Sequence, residues 1–211
     1  MKARTILFVI ALAVMCFSCN YVSKEKKEAA MDYHEKIFTY YSPVIDGING
    51  LFGTTEQLIN NSISDNIDSI SIAKEYAQIG NLVRIVDIYT DSINKLEEFD
   101  KEINYKKIAL ENMADCKKIL QNEYTDLIDK ISFGITEANS IEISEIILDI
   151  YWKLILVQKK SQETQIAFAN KYKFKLQGTL INFEQLEKQY HEHEKAIKNA
   201  KKAQNPDPVI E

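Results

Sequence analysis

"ALENMADCKKILQNEYTDLIDKI", residues 109–131, decides the fold class. Ala109, Met113, Cys116, Leu120, Tyr124, Leu127 and Ile131 recur at steps of three and four. That period places them on one face of an α-helix. Glu111, Asp115, Lys117 and Lys118 fall off the stripe, as expected of a solvated face. A helix with one apolar face is stable only when that face packs on another element, so the rest of the chain must supply partners.

Working upstream, Ile72, Tyr76, Ile79, Val83, Val86 and Ile93 trace a similar face over 69–99, with a short connection at 100–104. Before it, Ala30, Tyr33, Ile37, Tyr40, Tyr41, Val44, Ile48 and Leu51 trace another, opened by Ser23 as an N-cap. Pro43 lies inside that segment and predicts a kink or break, because proline lacks the backbone donor and its ring clashes with the preceding turn. "NNSISDNID", 60–68, predicts the first turn. Downstream, "FGITEANS", 133–140, ends the central stripe, and a further helix is expected over 140–174, strongly apolar from Ile143 to Val157. Gly178 marks a stop; 179–203 suits a more polar helix, and "NPDPVIE" a tail that cannot stay helical. The expected fold is all-α: an antiparallel four-helix bundle of long helices over 29–177, with a helical extension and tail over 178–211.

The first residues carry an address. Lys2 and Arg4 precede an uncharged, almost wholly apolar run from Thr5 to Phe17. About a dozen residues fall short of the roughly 20 that a membrane-spanning helix needs. A basic start, a short apolar core and a small residue before a cut site describe an export signal over 1–18. Ser18 followed by Cys19 resembles the lipobox of bacterial lipoproteins, in which the cysteine is acylated and becomes the new N-terminus. Cys16 and Phe17 stand where that pattern more often has aliphatic or small residues. An uncleaved signal anchor and an ordinary secreted protein are the other readings. Residues 19–28, polar and lysine-rich after the cysteine, form the expected tether between lipid and body.

Loss of Lys2 and Arg4 with the signal takes the net charge from −5 to −7 and leaves Arg84 as the one arginine. An acidic chain without an arginine cluster does not bind nucleic acid nonspecifically. With Cys19 acylated, Cys116 is the one free thiol and no internal disulfide forms. Cys116 lies on the apolar stripe with no histidine on its helix, so it reads as core rather than as a nucleophile. "HEHE", 191–194, holds two histidines two residues apart. On a helix they point to different faces, unlike the i, i+4 pair that zinc takes, so no metal is expected. No phosphate loop, Gly-x-Ser-x-Gly elbow or dinucleotide fingerprint occurs, and no catalytic residues or cofactor are expected.

Two adjacent aromatic pairs, Tyr40–Tyr41 and Tyr151–Trp152, cannot both turn inward on a helix. They are the candidate partner surface, since Tyr and Trp are favoured anchors. "DSI" occurs twice and resembles the Asp-Ser-aliphatic acceptor of O-glycans in some bacterial envelope proteins, which makes Ser69 and Ser92 candidate glycosylation sites.

"AMDYHEKIFTYYSPVIDGI" from Ala30, "ALENMADCKKILQNEYTDLI" from Ala109 and "QIAFANKYKFKL" from Gln165 resemble parts of an uncharacterised family of small helical bacterial surface lipoproteins. The resemblance covers most of the chain to Leu176. It implies a lipid-anchored helical body facing away from the cytoplasm, at the outer membrane or cell surface rather than the inner membrane. It carries over no catalytic residue. The expected function is binding or scaffolding in the cell envelope, with a membrane contact through the anchor and an envelope protein as partner. The alternative is a carrier of a small apolar ligand held in a pocket between helices.

Overall fold

The computed structural model describes residues 22–63 and 69–204. The export signal over 1–18, the acylation site Cys19, residues 64–68 of the expected first turn and the "NPDPVIE" tail lie outside the described residues; residues 60–63 of that turn are helix. Among those described, the chain is all-helical. Helix α1 spans Lys24–Ile63, α2 Ser69–Asn94, α3 Tyr105–Lys118, a π-helical turn Ile119–Tyr124, α4 Thr125–Ser132, α5 Ser140–Tyr172 and α6 Phe183–Gln204.

Helix α1 starts as its sequence dictates: the Ser23 hydroxyl accepts from the Lys26 amide at 3.2 Å. Lys24–Glu28, the second half of the expected tether, is therefore helix. Helix α1 also runs through Pro43 without a break. Pro43 is exposed, and buried Val44, Ile48 and Leu51 continue the apolar face beyond it. Packing on that face outweighs the missing hydrogen bond.

The central stripe is not one regular helix: α3 and α4 meet through the π turn. The steps Cys116, Leu120, Tyr124 are four and four, which overrun an α-helical pitch of 3.6. One wide turn restores the register, and Cys116, Ile119, Leu120, Tyr124, Leu127, Ile128 and Ile131 are all buried.

Two helices end earlier than their patterns suggest. Helix α2 stops at Asn94, and Asp100 organises the turn that follows, accepting from the Glu102 amide at 2.9 Å. Helix α5 ends at Tyr172, with Lys173 in the left-handed conformation (φ 58°). The Phe174 amide then donates to the Ala169 carbonyl at 3.1 Å, folding that ring back into the core. Gly178 takes φ 91° in the link to α6, a conformation that favours glycine.

Cross-helix pairs give the order of packing. Tyr40 meets Tyr89, ring centroids 5.6 Å apart, and Thr54 meets Gln78 at 3.2 Å, so positions on α2 fall as those on α1 rise. Lys117 pairs with Asp87 at 2.7 Å and Tyr76 with Asp129, giving the same opposed order for α2 against α3–α4. Lys160 pairs with Glu111 at 2.6 Å and Lys130 with Glu142 at 2.8 Å, again opposed, for α5. Tyr33 meets Phe168 at 5.9 Å, bringing the start of α1 to the end of α5. One continuous apolar core joins these helices, closed at one end by the rings of Tyr33, Phe99, Tyr105, Phe168 and Tyr172.

Candidate functional site: the groove between α5 and α6

Helix α5 carries more apolar side chains than one face can bury. Ile143, Ile150, Leu154 and Val157 join the core. Leu148, Tyr151 and Trp152 are left half-buried, and Leu156 is 46 % exposed. Helix α6 lies along this second face, and none of its residues is buried. Polar contacts fasten it: Lys159 Nζ to Glu187 at 2.6 Å, Lys201 Nζ to Glu145 at 2.8 Å, and the Gln204 amide donating to the Glu137 carbonyl at 3.2 Å. The Gln162 side chain exchanges two hydrogen bonds with the backbone of Ile181 just before α6. The Trp152 and Tyr190 rings stack with centroids 4.3 Å apart, supplying the apolar part of the contact.

Beside that stack the two helices leave a cavity of about 480 Å³, lined chiefly by Phe52 of α1, Ile147, Leu148 and Tyr151 of α5, and His193 and Ile197 of α6. No ammonium or carboxylate lines it. His193 Nδ1 donates to the Gln189 carbonyl at 2.7 Å, which leaves Nε2 as the ring's free nitrogen. A slot of this kind desolvates an apolar group and offers it a few uncharged polar side chains, Ser144, Tyr151, Gln189 and His193. Its volume is that of an ordinary small-molecule site, whose range is roughly 300–1,000 Å³.

No protein-family model, curated protein or solved structure matches this chain.

The four aromatic residues singled out in the sequence do not form one patch. Tyr151 lines the groove, and Trp152 is covered by Tyr190 of α6. Tyr40 is half-buried against Tyr89 of α2. Tyr41 is only 7 % exposed and belongs to the core, so it drops out of the partner surface: the turn of the helix that puts Tyr40 at the boundary puts its neighbour inside.

Ser69 is exposed at the start of α2, open to modification. Ser92 is half-buried and its hydroxyl donates to the Ile88 carbonyl at 2.9 Å, turned onto its own helix. Cys116 is fully buried, and burial with the neighbouring Asp115 charge pushes its thiol up to about 12, far from a thiolate nucleophile. Within "HEHE", His191 faces Glu194 at 3.6 Å on the exposed side of α6. Among the described residues no group of three histidine, cysteine or acidic side chains is placed to hold a metal ion.

The groove itself was half-legible. The stripe Leu186, Tyr190, Ile197 and the surplus apolar residues of α5 are both visible in the sequence. That they face each other, with Phe52 of α1 beneath, follows from tertiary packing alone.

Proposed function

We propose that this chain is a lipid-anchored protein of the bacterial cell envelope, with a binding or scaffolding role and no catalysis. Its body, on this reading, is an antiparallel four-helix bundle of α1, α2, the α3–α4 rod and α5, extended by α6. The opposed order of the cross-helix pairs supports that arrangement, as do the short links between helices. The address rests on one observation: the basic start, short apolar run and Ser18–Cys19 junction of the first residues. Two or three acyl chains on Cys19 hold a protein stably at a bilayer, where a single chain holds only weakly. Metabolic labelling with a clickable fatty acid tests it. Label on the wild type and none on Cys19→Ala is the expected result; an unlabelled wild type would sink the anchor.

The second reading, a carrier of a small apolar ligand, is favoured by the uncharged groove between α5 and α6. A solvatochromic apolar dye should bind the body and be excluded by Leu148→Trp, which fills the slot. Dye binding that ignores the substitution would remove the groove from the account.

A further inference from the structure

A second cavity, of about 250 Å³, opens where the first turns of α1 face the segment that follows α5. Its walls include Met31, Phe38 and Phe174, and His34 contributes the one imidazole. The imidazole is held on three sides. Tyr105 and Phe38 stack on it at 29° and 27°, with ring centroids at 5.9 and 6.1 Å, and Phe174 is tilted at 5.6 Å. His34 Nδ1 is 2.8 Å from the Tyr105 hydroxyl.

Tyr105 is 2 % exposed, and burial pushes its pKa far up, so the phenol keeps its proton. The hydroxyl has no other partner among the described residues, so its proton goes to His34 Nδ1. Burial also lowers the His34 pKa, so the ring is neutral near neutral pH. Nε2 then carries the hydrogen and is a donor with no protein acceptor among the described residues.

Two charges also line it, Glu35 from α1 and Lys175 from the segment after α5, beside the uncharged polar side chains of Thr39, Gln165 and Gln177. Glu35 and Lys175 have no ion-pair partner among the described residues, although both line one small cavity. An apolar wall, an unpaired anion, an unpaired cation and a fixed N–H donor together match one chemical class. The cavity is also smaller than the roughly 300 Å³ at which drug-sized sites begin.

We propose that this cavity binds a small zwitterion with an apolar side group, of the α-amino-acid class. The ligand's ammonium faces Glu35. Its carboxylate takes the Lys175 ammonium and the His34 Nε2–H. Its side group lies against Met31, Phe38 and Phe174. The inference does not rest on the lipid anchor or on the groove at α6.

Titration calorimetry on the full chain tests it with leucine, methionine and phenylalanine, alongside 2-phenylethylamine and 3-phenylpropionate, which each keep one charge of phenylalanine. At least one amino acid should bind, and each one-charge analogue should bind about tenfold more weakly or worse than phenylalanine, the worth of one charge-assisted hydrogen bond. Glu35→Gln should weaken the amino acid by about tenfold and leave 3-phenylpropionate unchanged; Lys175→Gln should weaken it similarly and leave 2-phenylethylamine unchanged. Both residues are exposed, so circular dichroism should show both variants folded. No binding of any of the three amino acids at millimolar concentration overturns the proposal. So does equal binding of the one-charge analogues, or binding indifferent to both substitutions.

Discussion

Asp100 shows what one carboxylate does when a turn closes around it. It is 7 % exposed. One oxygen accepts from the amides of Glu102 and Ile103; the other accepts from the Tyr172 hydroxyl at 2.8 Å and meets Lys171 Nζ at 2.6 Å. Burial alone would raise its pKa, but the Lys171, Tyr172 and amide hydrogen bonds outweigh it and bring the carboxyl down to about 2. The folded pKa is below the unfolded one, so the stabilisation is present above about pH 4 and is lost as pH falls toward about 2. Asp100→Asn should therefore cost on the order of 2 kcal/mol at neutral pH and little near pH 2, read from urea unfolding at the two pH values. Asn112 is the opposite case. It is 1 % exposed, and neither its amide oxygen nor its amide nitrogen has a partner among the described residues. Replacing a buried unsatisfied amide by an apolar side chain of like size removes its desolvation cost, so Asn112→Leu should raise stability by roughly 1–2 kcal/mol. A lower denaturant midpoint would show that the amide is satisfied in solution.

At the scale of the helices, the contact between α1 and α2 is set by a missing side chain. A Cβ on Gly47 would overlap Leu82 Cδ2, whereas nothing lies within 4 Å of one on Gly50 or Gly53. The three glycines look alike in sequence, yet they do different things. Gly50→Ala should stabilise α1 by about 0.5–1 kcal/mol, the helix propensity of alanine over glycine. Gly47→Ala should fall about 1 kcal/mol short of that gain, because the end of the Leu82 side chain must shift from its packed position. Paired thermal melts compare them, and equal effects would mean that Leu82 rearranges freely. The π turn belongs to this scale too. Its cause, two successive steps of four, stands in the sequence. The sequence could equally have been served by letting Tyr124 drift off the buried face. The packing around Ile119, Leu120 and Tyr124 decided for the wide turn.

Over the whole molecule, α6 stands apart from the rest. It buries none of its residues and is held by ion pairs, side-chain amides and one aromatic stack, while the helices before it share a continuous apolar core. Exposed ion pairs contribute little each, about 0–1 kcal/mol, and less at high salt. A chain ending at Gln177 should therefore keep one cooperative unfolding transition. Trp152, the single tryptophan, loses its cover in that chain. Its fluorescence should shift to the red, and dye binding to the bared face of Ile147, Leu148 and Tyr151 should rise. Loss of cooperative unfolding would show that α6 belongs to the core.

The sequence by itself determined the all-helical class, the stripes of the first three helical segments and several boundaries, because a period of three to four apolar residues and caps such as Ser23 are local signals. Its acidic charge and its first 19 residues supplied the expected address, which falls outside the described helices. Tertiary structure alone decided what faces what. It put Tyr41 in the core and Tyr40 at the boundary, carried α1 through Pro43, laid Tyr190 on Trp152, and brought His34, Glu35 and Lys175 round one cavity. The physical reason is that a stripe says only that a face must be buried. Which face covers it depends on the fit of side chains far apart in the chain, and local periodicity carries no record of that fit.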